Sequence, residues 1–444
     1  MRDDSRLCEP GDIFVAISGT NADGRRFVDD ALARGAVAIA AETDPGAGAP
    51  WLAVPCARTA AGRIADLLYG DPSALLSLVG ITGTNGKTTI AHLLAQLLDG
   101  PVGVIGTLGI TYPGVAWKTR NTTPGPIELR EALREMEKAG CRTCVMEVSS
   151  HALVQRRVDG LRFAAAVYSN LSGDHLDYHG TLEHYAAAKA RLFALLAPAA
   201  SAILNDVDPC RSVETPAERR IFRADDIDVS VHGTEFTWNG RRVRTPLVGE
   251  HNAQNAAAAL ETAVALGVEI ETAIERLAGV APVRGRLEVI ARDPVLALVD
   301  YAHTDDALEH ALLAVRALDP ARLTVVFGCG GDRDKSKRPR MGQVAARLAD
   351  RVILTNDNPR SEDPARIVEE IQAGMPAGRA EVHLDRRRAI EEAMAGARSR
   401  ECVLVAGKGH ETDQVLGARR VEFDDAAEVR RALAARAATA LNHG

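Results

Sequence analysis

Gly83-Thr84-Asn85-Gly86-Lys87-Thr88-Thr89 has residue types and spacing that could do chemistry on a nucleotide. Its glycines let backbone N–H groups approach anionic oxygens, Lys87 carries a charge for the outer phosphates, and the Thr88 hydroxyl suits Mg²⁺. An apolar run over 75–81 predicts a buried strand before the loop. Ile90, Leu93, Leu94, Leu97 and Leu98 fall on one face of a helix after it, whose dipole adds positive potential. The spacing departs from the common phosphate loop, because Ile81 stands five residues before Gly86. A plain glycine turn between strand and helix is the alternative. A phosphate loop implies a nucleoside triphosphate and no more, since kinases, motors and ligases share it.

The elements that must position this loop alternate strand and helix. Residues 1–72 read as a small α/β unit, with an apolar run at 13–17 and a helix near 27–33, closing at Tyr69-Gly70-Asp71-Pro72, a turn. Residues 73–284 carry the loop and further predicted strands at 143–148, 163–168 and 202–204. Residues 285–444 repeat the pattern at 323–327, 352–355, 380–384 and 402–406, with a helix from Ala426 onward. The expectation is an α/β protein of three domains: a small N-terminal α/β domain, a central P-loop ATPase-like domain with a parallel sheet, and a C-terminal Rossmann-like domain.

A net charge of -7 offers no basic field for a nucleic-acid backbone, so nucleic acid is not an expected partner. No apolar run approaches the length that crosses a bilayer, and the start Met1-Arg2-Asp3-Asp4 lacks a secretory core, so a cytoplasmic location is expected. Seven scattered cysteines fit a reducing compartment. Cys141 and Cys144 form a CxxC with no second pair, and their neighbours read as the entry to a buried strand rather than a metal site.

Gly-Thr-Asn-Gly-Lys-Thr-Thr resembles the loop of the Mur ligases and of the related folylpolyglutamate synthetases. The resemblance runs along almost the whole chain: Asp4-Ser5-Arg6, Asn121-Thr122-Thr123-Pro124, Met146-Glu147-Val148-Ser149-Ser150-His151, Ser169-Asn170-Leu171-Ser172-Gly173-Asp174-His175-Leu176-Asp177, Gly285-Arg286-Leu287-Glu288, Asp300-Tyr301-Ala302-His303-Thr304 and Gly407-Lys408-Gly409-His410-Glu411. Within the family the pattern is similar to ligases that add the third residue of the peptidoglycan stem peptide. The resemblance implies an ATP- and Mg²⁺-dependent amide ligase, expected to be a monomer, which joins meso-diaminopimelate to UDP-N-acetylmuramoyl-L-alanyl-D-glutamate through an acyl phosphate.

It also implies site residues. Gly83 to Thr89 would hold the triphosphate, with Lys87 and Mg²⁺ on the phosphates, and Thr88 and Glu147 as ligands of one ion. His175 and Lys189 would serve a second ion, Lys189 as a carbamate, although a helical lysine is ordinarily a solvated charge. His251, Asn252 and Asn255 resemble the adenine-contacting stretch, with helix capping the alternative for Asn252. Arg286, Asp300 and His303 would close over the nucleotide. His303 could instead be a core histidine, and Asp305 stands where the family has proline. Ser5, Thr20, Asn21 and Ala22 would hold the uridine diphosphate end, and Asn121, Thr122, Thr123, Ser149, Gln155 and Arg157 the sugar and dipeptide, though such residues are also ordinary turn formers.

Asp357-Asn358-Pro359-Arg360 sits at a predicted strand's carboxyl end. In the family this sequence goes with diaminopimelate, whose second amino-carboxylate an arginine fork can hold. Arg333, Gly407 and Glu411 complete the implied pocket, Glu411 accepting from the distal ammonium; a simple Asn-Pro turn is the alternative. Two rivals stay open: the lysine-adding or folate-directed relatives, and a nucleotide-binding scaffold without turnover. The chain begins almost at Asp4, where relatives have a longer stretch, which bears on acceptor affinity.

Overall fold

The computed structural model describes residues 1–19, 23–46 and 48–442. Short apolar runs at the N-terminus make a three-stranded parallel sheet, β1 (Ile13–Val15), β2 (Ala38–Ala41) and β3 (Trp51–Ala53), with α1 (Val28–Ala33) between the first two strands. Helix α2 (Ala57–Tyr69) follows and ends on Gly70, whose φ of 76° supplies the left-handed stop.

Next come β4 (Ser77–Thr82), α3 (Lys87–Leu97), β5 (Val102–Gly106), β6 (Gly109–Tyr112), β7 (Val115–Trp117), α4 (Pro126–Lys138), β8 (Thr143–Glu147), α5 (Ser150–Val154), β9 (Phe163–Tyr168), α6 (Leu176–His179), α7 (Leu182–Ala194), β10 (Ser201–Asn205) and β11 (Glu218–Phe222). The strands form one sheet in the order β11-β10-β9-β4-β8-β5-β6-β7. Its first six are parallel, and the β6–β7 hairpin extends it antiparallel. Strand β4 is central and buried on both faces, which is why Leu78-Val79-Gly80-Ile81 reads as continuously apolar. The phosphate loop leaves its carboxyl end, the position at which open α/β sheets bind ligands.

Three antiparallel strands, β12 (Asp225–Ser230), β13 (Gly233–Trp238) and β14 (Arg241–Thr245), precede α8 (Glu250–Ala265) and α9 (Ile270–Ala278). The remainder comprises β15 (Glu288–Ala291), β16 (Leu296–Asp300), α10 (Asp305–Arg316), β17 (Arg322–Phe327), α11 (Lys337–Leu348), β18 (Arg351–Leu354), α12 (Pro364–Gln372), β19 (Ala380–Val382), α13 (Arg386–Gly396), β20 (Glu401–Ala406), the hairpin β21 (Asp413–Leu416) and β22 (Arg419–Glu422), and α14 (Asp425–Asn442). Its sheet has the order β15-β16-β20-β17-β18-β19 and is parallel except at β15. Strand alternation divides the side chains: Val325 and Phe327 face α10, α11 and α12, while Val326 faces α13 and α14.

The α/β class and the parallel sheets match the sequence expectation. The β12–β14 sheet was not foreseen: its polar, exposed alternation in 225–230 lacks the apolar runs that announce a core strand. Residues 1–223 and 255–273 form one compact unit, and residues 224–254 and 274–444 the other.

Candidate active site

In the first unit the phosphate loop is shaped by close backbone approach. A Cβ on Gly83 (φ 146°) would lie 1.9 Å from Ser169 Oγ, and one on Gly86 (φ 86°) 2.2 Å from Asn255 Oδ1, so both positions require glycine. The loop is stitched to the chain after β9. Asn85 N–H donates to Asn170 Oδ1 (2.8 Å), Thr84 N–H to Asn170 O (3.0 Å), and Ser169 Oγ to Asn85 O (2.6 Å). Lys87 Nζ folds back on the carbonyls of Gly83 (2.8 Å) and Thr84 (2.7 Å), and Thr88 and Thr89 are buried at the start of α3.

Lys189 is the least ordinary residue here. It is 1% exposed, its Nζ donates to Gly83 O (2.7 Å), and it sits 4.2 Å from the centre of the Tyr185 ring. Burial, reinforced by the nearby charge of Lys87, pushes its ammonium well below the usual lysine range. The solvated surface lysine that composition alone would suggest is therefore not what the fold builds.

Glu147 ends β8 with 1% exposure. Its carboxylate accepts from Thr107 N–H (2.8 Å) and from Thr107 Oγ (3.1 Å), and Thr107 Oγ lies 3.3 Å from Thr122 Oγ. Thr123 Oγ donates to Glu147 O (2.9 Å) and accepts from Ser149 N–H (3.0 Å). Arg157 donates to Thr123 O and, through Nε and Nη2, to Gln155 Oε1. Glu147, Thr122, Thr123, Ser149, Gln155 and Arg157 thus form one linked patch, with Asn121 exposed at its edge. Thr107 belongs to that patch, and nothing in the sequence marked it.

His175 lies on the surface in a left-handed conformation (φ 54°), its ring 5.0 Å from that of His151. Among the described residues no three His, Cys, Asp or Glu side chains converge as a metal cluster. Ser5 is buried at the start of a short 3-10 helix that Asp4 caps. Thr20, Asn21 and Ala22 lie outside the described residues. Cys141 and Cys144 are free, and burial raises both thiols, in keeping with structural cysteines.

In the second unit, His251 packs against Gly249, and desolvation together with His310 takes its imidazole down to about 4. Asn252 is buried and donates to Val248 O (2.8 Å). Asp300 accepts from the N–H groups of Leu287 (2.7 Å) and Ala302 (2.8 Å), and burial raises its carboxyl against the pull of Arg286. The Arg286 guanidinium lies 5.0 Å from the Tyr301 ring centre. His303 is exposed, with Nδ1 2.8 Å from Tyr301 O, so it is not a core histidine. Where proline was expected, Asp305 opens α10 behind a Thr304 cap.

The loops after β17, β18 and β20 come together. Arg360 Nη1 donates to Gly331 O (2.6 Å), and a Cβ on Gly330 would meet both the Arg360 guanidinium (3.0 Å) and Arg333 Cγ (3.7 Å). Asn358 Nδ2 donates to Glu411 Oε2 (2.8 Å), and the fully buried Lys408 Nζ donates to Glu411 Oε2 (2.8 Å) and Asn358 Oδ1 (3.2 Å). Burial would raise Glu411, but Lys408 and Asn358 outweigh it and hold the carboxyl below its usual range. Asp357 is buried, and a Cβ on Gly407 (φ 112°) would lie 2.7 Å from its Oδ2. Arg333, Asp357, Asn358, Pro359, Arg360, Gly407 and Glu411 are therefore neighbours. Lys408 joins them through Asn358 and Glu411.

Sequence models of the family match three segments: the Mur ligase family catalytic domain over residues 1–66, the Mur ligase middle domain over 81–263, and the Mur ligase glutamate ligase domain over 285–409. A UDP-N-acetylmuramoyl-L-alanyl-D-glutamate--2,6-diaminopimelate ligase from Gloeobacter violaceus is 42% identical over 98% of this chain and 93% of its own length. The chain belongs to the Mur ligase family. The ligase of the same name from Thermosynechococcus vestitus is 44% identical to this Mur ligase, covering 100% of this chain and 95% of its own. A solved structure of a ligase so named superposes with a TM-score of 0.69 at 36% identity, covering 98% and 94% of the two chains. A MurF ligase from Thermotoga maritima in complex with ADP shares the fold (TM-score 0.65, 20% identity, 98% and 97% covered).

Proposed function

We propose that this Mur ligase couples ATP hydrolysis to the addition of meso-diaminopimelate to UDP-N-acetylmuramoyl-L-alanyl-D-glutamate, a step of peptidoglycan synthesis carried out in the cytoplasm by a monomer. Residues 1–72 would bind the uridine diphosphate end, 73–284 the nucleotide, and 285–444 the amino acid. The acceptor carboxylate attacks the γ-phosphorus of ATP, ADP leaves, and the amine of diaminopimelate then displaces phosphate from the acyl phosphate to form the amide. Both displacements crowd negative charge, so fixed cations and donors supply most of the acceleration.

Lys87 would turn from the loop carbonyls to the outer phosphates, which the loop's N–H groups cradle. Thr123, Ser149, Gln155 and Arg157 would present the acceptor beside Glu147. The Thr88 hydroxyl and Glu147 carboxylate are hard oxygen donors that would hold Mg²⁺, which would offset phosphate charge. His175 and Lys189 suit a second ion once Lys189 carries a carboxylate. The depressed ammonium supports that reading, because CO₂ adds to the neutral amine. His251, Asn252, Asn255, Arg286, Asp300 and His303 would serve the nucleotide.

The observation that carries the amino-acid assignment is the adjacency of Arg333 and Arg360 at Gly330-Gly331 to Asn358 and Glu411. It offers guanidinium groups for a distal carboxylate and a carboxylate for its ammonium. Lysine has the second group and lacks the first. Phosphate release in the presence of ATP and acceptor tests this with diaminopimelate, lysine and glutamate supplied separately. Diaminopimelate alone should support rapid release, and equal release with lysine would overturn the assignment.

A further inference from the structure

The pocket after β18 and β20 is built on strands that are not neighbours, since β17 lies between them. Asn358 and Lys408 link the two loops directly, and a side chain from a helix also spans the gap. Arg386, the first residue of α13, is 1% exposed and reaches the carbonyl of Asn356 with Nη1 (3.2 Å) and that of Ala406 with Nη2 (2.8 Å). These carbonyls immediately precede Asp357-Asn358-Pro359-Arg360 and Gly407-Lys408-Gly409-His410-Glu411. The guanidinium is itself locked by a two-point ion pair with Asp425 of α14, Nε to Oδ1 at 2.8 Å and Nη2 to Oδ2 at 2.7 Å, with neither side chain exposed. Asp357, buried beside Gly407, lies within the field of Arg386 and Lys408.

Buried carbonyls at strand ends need donors, yet a hydroxyl or a main-chain N–H could satisfy each separately. A planar fork with four of its donors fixed does more, because it sets a distance. That distance is the spacing between the Asp357-Asn358-Pro359-Arg360 loop and the Gly407-Lys408-Gly409-His410-Glu411 loop.

We propose that Arg386 is a positioning residue for the amino-acid subsite: held by Asp425, it fixes the separation of the two loops that grip diaminopimelate. The inference rests on the amino-acid assignment above and adds a residue remote from the ligand. It makes a distinction that overall stability cannot mimic. Arg387, the next residue, joins the same two helices through Glu428 (3.1 and 2.8 Å) and reaches neither loop carbonyl.

The test compares Arg386→Lys, Asp425→Asn and Arg387→Ala with the wild type by steady-state kinetics for all three substrates and by thermal melting. An ammonium cannot hold both carbonyls and Asp425. Arg386→Lys should therefore raise the diaminopimelate KM by about tenfold or more, with ATP and acceptor KM values within about twofold. Asp425→Asn should raise the same KM by a smaller factor. Arg387→Ala should lower the melting temperature and leave that KM unchanged. A folded Arg386→Lys with wild-type diaminopimelate KM, or one raising all three KM values equally, overturns the proposal. If Arg386→Lys fails to fold, an unchanged diaminopimelate KM in Asp425→Asn does the same. Absence of diaminopimelate-dependent phosphate release by the wild type would instead overturn the substrate assignment.

Discussion

Around Gly83 the chain is held mostly by hydrogen bonds among its own backbone and short polar side chains, with Lys189 of α7 added at Gly83 O, whereas around Asp357 it is held by several long cations reaching in from helices. The phosphate loop keeps its shape through Ser169 and Asn170, and Lys87 rests on carbonyls three and four residues away. The proposed amino-acid site instead depends on Arg338, which is unexposed and paired with Glu362 and Glu370 while donating to Gly330 O, and on Arg386 paired with Asp425. A loop that must wrap a ligand shared by many enzymes can be encoded in seven contiguous residues. A pocket that must discriminate one amino acid from another has to set distances between loops. That requires rigid bridges from elsewhere in the fold.

If this contrast is right, the largest losses come from the first region, where charge meets the reacting phosphate. Lys87→Ala should lower kcat by at least roughly a hundredfold to a thousandfold, the scale of removing one fixed donor from a developing charge. Retention of wild-type turnover would break the contrast at its strongest point. Lys189→Ala should be comparably impaired, since it removes the amine proposed to carry the carbamate. Intact-mass measurement of the wild type with nucleotide and acceptor bound should find Lys189 heavier by one CO₂, and an unmodified lysine in the active complex would refute its carbamate role.

The same contrast explains what could be read in the sequence. Strands β4, β8, β9, β17, β18 and β20 were legible because buried parallel strands are continuously apolar. The phosphate loop was legible because its glycines, lysine and threonines are adjacent. Thr107 was not: a single threonine in a turn gives no sign that Glu147, 40 residues later, will accept two hydrogen bonds from it. Nor were Arg338 and Arg386, because an arginine in a helix reads as solvated until tertiary packing closes over it. Sheet β12–β14 escaped notice for a related reason. Its strands alternate buried and exposed residues over short lengths, and charged side chains such as Arg241, Arg242 and Arg244 mask the pattern.

Effects in the second region should be smaller and fall on binding. Arg360→Ala removes a charge-assisted donor, on the order of 1.5–3 kcal/mol, and should raise the diaminopimelate KM roughly tenfold to a hundredfold with kcat little changed. Unchanged diaminopimelate kinetics would remove Arg360 from the pocket. The mildest prediction concerns the bridges themselves. Arg338, with the N–H of Asp332 and Lys335, draws the Glu362 carboxyl down from its usual 4.5 to about 2. A carboxyl held low in the folded state gives stability that is fully present above about pH 4.5 and is lost as the pH falls through that interval toward 2. Melting curves between neutral pH and pH 2 should therefore show a decline over that window that Glu362→Gln lessens, because glutamine has no proton to take up. A wild-type decline that Glu362→Gln leaves just as steep would mean that the acid sensitivity lies in other carboxylates, and that the cation bridges are not what ties the pocket's loops to the stability of the fold.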